Sequence, residues 1–167
     1  MILNQQHEVR VSMRPLESFL RKVKRELGLQ ESDVTVCLVS DKAMTGLNES
    51  FRKKKGPTDV LSFPQEDSFS PLATRHSPLR GQSAKSRKDT GKQQLVKKSR
   101  PTYLGDIAIS PATARRYATS HDRTLASELR VLILHGVLHL LGYDHETDRG
   151  EMDKIERKLR KRFGLTP

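Results

Sequence analysis

The sequence predicts an α/β (α+β) fold, a single domain in which a mixed sheet packs against helices. Three observations predict it. Segments with apolar residues three and four apart alternate with short β-branched runs. No stretch repeats itself. A length of 167 residues suffices for one buried core but would leave two full domains cramped. Taken in order, residues 8–12 (EVRVS) alternate polar and apolar and read as a strand. Residues 15–27 place Leu16, Phe19, Leu20, Val23 and Leu27 on one helical face, with Pro15 suited to the first position and Gly28 to the stop. Residues 33–39 form a β-branched strand. Asp41 then caps a helix carrying Met44, Leu47, Asn48 and Phe51, which Gly56-Pro57 breaks. A strand follows over residues 59–63 and another over 105–110 (GDIAIS), after which Pro111 opens a short helix. A strongly apolar helix starts at Thr124 or Ser127 and ends at Leu141, and an amphipathic helix over residues 147–163 completes the chain.

The net charge of +11 directs attention to nucleic acid, but its distribution narrows the inference. Nine of the 31 Lys and Arg residues lie between Leu72 and Arg100, beside one acid, Asp89; the remainder of the chain carries only +3. That stretch is rich in Ser, Lys, Arg, Gln and Gly and too poor in apolar residues to offset its ordering entropy. It is expected to form a basic mobile insertion at about 68–101. It serves either as a solvated insertion without specific role or as a flexible arm for phosphates. The apolar stretches are too short to span a bilayer, and the first residues lack the pattern of a secretion signal. With Cys37 the only cysteine, these features lead to the expectation of a cytoplasmic protein with no membrane partner. Cys37 itself sits in the run VTVCLV, as a small core residue would.

Chemistry concentrates in HGVLHLLGYDH, residues 135–145. His135 and His139 are four apart and share one helical face, so both imidazoles can reach one ion. Gly142 permits the positive backbone angle that turns the chain back, and His145 follows to close the triangle. Three neutral imidazoles suit one zinc ion, or another divalent transition metal, and leave a fourth coordination position open. A lone histidine on an apolar helix is ordinarily a satisfied core residue. Three in this spacing, buried without partners, would be costly as packing alone. His7, His76 and His121 have no such company.

The spacing matches the HExxHxxGxxH pattern of zinc proteases with one change: Gly136 stands where the glutamate base belongs. That demotes a zinc peptidase to the alternative and favours a hydrolysis that needs mainly a Lewis acid and charge stabilisation, such as phosphodiester cleavage. Residues 47–64, LNESFRKKKGPTDVLSFP, supply a second constellation: a helix ending in Arg52 and three lysines, a Gly-Pro break, then a strand. Arg52 can offer a bidentate fork to a phosphate, although cations at a helix C-terminus are common for electrostatic reasons alone.

Three blocks together, LNESFRKKKGPTDVLSFP, YLGDIAIS (residues 103–110) and HGVLHLLGYDHETD (residues 135–148), resemble the YbeY endoribonucleases, also called rRNA maturation factors. The resemblance covers essentially the whole chain outside the basic insertion. It implies a single-domain fold with one zinc-like ion on His135, His139 and His145, and a functional arginine at Arg52. It also implies single-strand-specific, metal-dependent cleavage of RNA, acting in maturation of the 16S rRNA 3′ end and in ribosome quality control. The implied partners are the 16S rRNA precursor and the ribosome or its small subunit. It further suggests a site floor near Thr58, Asp59 and Asp106. Asp144 and Glu146, flanking His145, can orient a ligand or serve merely as turn and helix-start acids. The chain departs from the family between residues 65 and 102, where a short acidic or neutral connection is replaced by a long basic one. A ribosome-biogenesis binding factor with a structural metal remains a further alternative.

Overall fold

The computed structural model describes residues 1–65, 102–145 and 147–165. The basic insertion, Glu146 and the last two residues lie outside the described residues. The elements run β1 (Ile2–Asn4), α1 (Met13–Glu26), β2 (Ser32–Leu38), α2 (Asp41–Leu47) with a π-helical turn (Asn48–Arg52), β3 (Val60–Pro64), β4 (Thr102–Ile109), α3 (Pro111–Ser120), α4 (Leu125–Leu140) and α5 (Glu151–Arg162). The sheet order is β1-β2-β4-β3, with β1, β2 and β4 parallel and β3 antiparallel to β4 at the edge. The mixed sheet against helices is as expected from sequence.

Strand alternation divides the sheet into two faces. Val34, Val36 and Leu38 of β2 and Ile107 and Ile109 of β4 point into the main core, beneath α1 and α4. Ala108 and Leu61 point the other way, into a smaller cluster with Val39 and Met44. Cys37 packs against this second cluster and is half-buried rather than a core residue. Helix α4 occupies the centre of the main core: Leu129, Leu132, Ile133, Leu134, Val137 and Leu138 are each at most 5% exposed. Each such side chain contributes roughly 1.5–3 kcal/mol through burial, so the helix carrying two of the histidines is firmly held.

Besides Cys37, three expected details change, the simplest being that the last helix starts at Glu151 and not at residue 147. The first strand is Ile2–Asn4, paired with Val36–Leu38, not residues 8–12. Although EVRVS alternates, Gln6 is buried and closes a turn there: its Nε2 donates to the Val9 carbonyl and its Oε1 accepts from the Val9 N–H, both at 2.9 Å. The N–H and C=O that Val9 would offer to a ladder are thus met locally, while the three residues of β1 are too few to show a period. The cap of α2 is Ser40, whose hydroxyl accepts from the Ala43 N–H. Asp41 instead reaches across to α3, accepting from Thr113 and pairing with Arg116, each at 2.7 Å, and from Ser110.

Candidate metal centre and its groove

Helix α4 ends in a hydrogen-bonding pattern that places the third histidine. The Tyr143 N–H returns to the Leu138 carbonyl and the Gly142 N–H to the His139 carbonyl. This nested pair requires a left-handed residue at Gly142, whose φ is +86°. The chain reverses there and brings His145 back over the helix end. Imidazole nitrogens of His135, His139 and His145 all lie within 4.8 Å of one another. The Nε2 atoms of His135 and His139 face each other at 3.1 Å. Two nitrogens bound at about 2.05 Å to one tetrahedral ion would stand about 3.3 Å apart, so the pair is already close to ligand spacing. The donor set therefore fits a single divalent ion of the zinc kind.

The surroundings prepare two of the imidazoles for a metal. Burial first, then repulsion from His135 and His145, pushes the His139 imidazole below its ordinary value; Asp144 and a hydrogen bond with the Tyr143 backbone oppose this only in part. His139 is thereby kept neutral, as a ligand must be. His135 is oriented from behind. Its Nδ1 lies 3.0 Å from Oε2 of Glu156 on α5, so that Nδ1–H donates to the carboxylate and Nε2 is left to the cluster. Glu156 is 8% exposed and is held in turn by Arg160. Burial pushes its carboxyl up, but the hydrogen bond and charge of His135, together with Arg160, outweigh this and keep it below the usual range.

Sequence reasoning missed Glu156. The signal was present: α5 buries Met152, Glu156 and Leu159 on one face, so a carboxylate interrupts an otherwise apolar stripe. Such a group needs polar partners, and His135 and Arg160 supply them.

The histidines line a groove of about 850 Å³. The edge strand β3 and the residues before it, from Thr58 to Pro64, form one wall, and Gly142 to His145 form part of the other. Phe51 and Arg52 stand at its rim. The structure thus brings Arg52 to the same groove as the three histidines. Thr58 and Asp59 line it too; Asp59 is tied locally, accepting from the Val60 N–H at 2.9 Å. Asp144 lines it and accepts from the Thr147 hydroxyl. Asp106 does not belong to the floor. Its neighbour Ile107 faces α4, so alternation turns Asp106 to the opposite face, where the Tyr103 hydroxyl donates to it.

Gly136 has a structural cause. A Cβ there would meet Ile107 Cγ2 at 2.7 Å and Cδ1 at 2.9 Å, so any side chain would force Ile107 or α4 to shift. The position also points into the sheet rather than the groove. A protease-type glutamate has no room here.

Comparison with known proteins agrees with this architecture. A family model described as endoribonuclease YbeY matches residues 1–164. A protein named endoribonuclease YbeY from Koribacter versatilis is 37% identical over 155 residues, covering 93% of this chain and 80% of its own. Another so named, from a Sulfurovum species, is 34% identical over 146 residues, covering 87% and 81%. A solution structure of a Thermotoga maritima protein shares the fold, with a TM-score of 0.56 and 24% identity over 98% of this chain and 90% of that one.

Proposed function

The chain belongs to the endoribonuclease YbeY family, and on that premise we propose that it is a metal-dependent endoribonuclease acting on single-stranded RNA. The observation that carries the proposal is the convergence of three imidazole nitrogens within 4.8 Å in a groove whose rim bears Arg52. In this reading His135, His139 and His145 hold one zinc ion, or another divalent transition metal. When bound, it supplies Lewis-acid stabilisation of the charge developing on a phosphate. Arg52, on the exposed rim, binds a phosphate oxygen pair through its fork and fixes the strand over the histidines. Glu156 keeps the His135 proton on Nδ1, so that Nε2 remains a lone-pair donor. The nucleophile is read from the product: a 2′,3′-cyclic phosphate with a 5′-hydroxyl marks attack by the neighbouring ribose hydroxyl, and a 5′-phosphate with a free 3′-hydroxyl marks attack by water.

The finer reading takes the precursor of 16S rRNA as substrate, its 3′ end as the place of cutting, the small ribosomal subunit as partner, ribosome quality control as a second role and the cytoplasm as location. Among the described residues no helix is long and apolar enough to cross a membrane. The peptidase alternative is opposed by Gly136, which neither carries a base nor has space for one.

The test is purified protein on single-stranded and duplex RNA, with and without chelator, beside His139→Ala. Cleavage of the single strand that both treatments abolish is the expected result; cleavage that survives both overturns it. For the finer reading, the 3′ end of 16S rRNA is mapped in cells lacking the protein and complemented by wild type or Arg52→Ala. Ends left unprocessed without the protein and with Arg52→Ala, but restored by wild type, support it; normal ends without the protein, or full restoration by Arg52→Ala, overturn it.

A further inference from the structure

We propose that Phe51 is a stacking platform for a nucleobase adjacent to the phosphate held by Arg52. The inference rests on the RNA reading above and assigns part of its specificity for single strands. Helical continuation of α2 would place Phe51 on the buried stripe of Met44, Leu47 and Asn48, because residues three, four and seven apart share a face. The structure does the opposite. The backbone widens into a π turn closed by the Lys53 N–H on the Asn48 carbonyl, five residues back. This turns Phe51 out to the groove, where it is 65% exposed, although it is large and apolar. Turns of this kind recur at functional sites because the extra residue re-aims the side chains that follow.

The ring is not left to wander. Phe63 of β3 meets it edge-to-face, with centroids 4.9 Å apart and planes at 71°, and Phe63 is itself packed against the smaller core cluster. Lys53 takes a left-handed conformation that ends the turn, and Asn48 Nδ2 holds the Gly56 carbonyl at 2.9 Å, so the basic loop after Phe51 is pinned to the turn before it. An exposed, supported aromatic ring beside Arg52 and three lysines reproduces the pairing found wherever single strands are held, a π-face for the base and cations for the backbone. Only an unpaired base can leave its helix to reach the ring, so the platform selects against duplex.

The experiment measures the affinity of the metal-loaded full chain for a single-stranded 2′-O-methyl phosphorothioate strand, intact or abasic at each position in turn, with wild type, Phe51→Tyr and Phe51→Leu. Stacking of one base predicts that wild type loses roughly tenfold at one abasic position. Phe51→Leu binds the intact strand as weakly as wild type binds that abasic one, and loses nothing more there; Phe51→Tyr behaves as wild type. Equal affinity of Phe51→Leu and wild type, or penalties that multiply at every position, overturns the platform. Cleavage with no such coupling leaves the nuclease reading standing and sinks this one. Strand binding with the predicted coupling but without cleavage does the reverse.

Discussion

His139 and Phe51 line the same groove, yet they stand on opposite kinds of structure. His139 sits on α4, ten of whose sixteen residues are buried. Phe51 sits on a five-residue π turn whose only buried side chain is Asn48. The floor inherits its geometry from the hydrophobic core: α4 is pressed onto Ile107 at Gly136, turned at Gly142 and backed by Glu156 from α5. The rim inherits its geometry from local backbone irregularity and a few hydrogen bonds. A metal site tolerates little displacement and profits from a rigid floor. A flexible polymer is better met by exposed groups that cost the fold little to present. Changes to the floor should therefore alter stability and metal together, and changes to the rim should alter RNA binding alone.

The harshest test of that contrast is Gly136→Glu. It restores the protease pattern but drives a carboxylate into the α4–β4 contact, where even a Cβ would lie 2.7 Å from Ile107. Overpacking and burial of an unpaired charge together should cost more than about 3 kcal/mol in urea unfolding, with no peptidase activity gained. A variant as stable as wild type would mean that the floor is not fixed by this contact. Glu156→Gln probes the floor more gently, since it keeps the shape and removes the charge behind His135. The affinity for zinc, read by competition with a chromogenic chelator, should fall roughly tenfold. The d–d spectrum of the cobalt-loaded protein should shift, and affinity for the single strand should hold. Unaltered metal affinity would make Glu156 a packing group only.

The same contrast explains what could be read from the sequence. The floor was legible because its determinants are local and periodic: His135 and His139 one turn apart, a glycine at the helix end, and a run of leucines that can only be core. Gly136 was recognised as an absent base, but the reason for the glycine, the approach of Ile107, is a contact between residues 29 positions apart that no pattern reveals. Glu156 was overlooked for a similar reason: its partner His135 lies 21 residues away. At the rim, the stripe Met44, Leu47, Asn48 and Phe51 suggested one continuous helical face, and only the π turn breaks it. Periodicity assumes a constant 3.6 residues per turn, so a single widened turn defeats it from that point onward. Asp106 failed through parity, because a motif gives the order of residues but the neighbour's packing decides which face each one takes.

At the rim, Arg52→Ala should weaken single-strand binding severalfold. It should also reduce the slope of log affinity against log salt by about 0.7, the value of one phosphate contact on a single strand. Arg52→Lys should restore the slope but not the affinity, because a point charge replaces the fork. Stability should stay within about 0.5 kcal/mol, since the side chain is exposed. A marked loss of stability or of zinc affinity in either variant would erase the distinction between rim and floor.

The smallest expected effect concerns the anchor of the rim. Asp41 opens α2, the helix that carries the π turn, and ties it to α3 through Ser110, Thr113 and Arg116. Burial pushes the Asp41 carboxyl up, but those hydrogen bonds and the Arg116 charge outweigh it and hold the group below its ordinary value of 3.8. A carboxyl depressed in the folded state stabilises the fold at every pH above its unfolded value and ceases to do so as the pH falls through the folded one. Asp41→Asn should therefore cost on the order of 1 kcal/mol at neutral pH, modest because Arg116 is largely exposed. The difference from wild type should stay level down to the carboxylate range and close below pH 3.8. A difference that widens on acidification would show that the group is held protonated. The rim would then be anchored by a neutral hydrogen-bond network, and raising the salt concentration should leave its attachment to α3 unchanged.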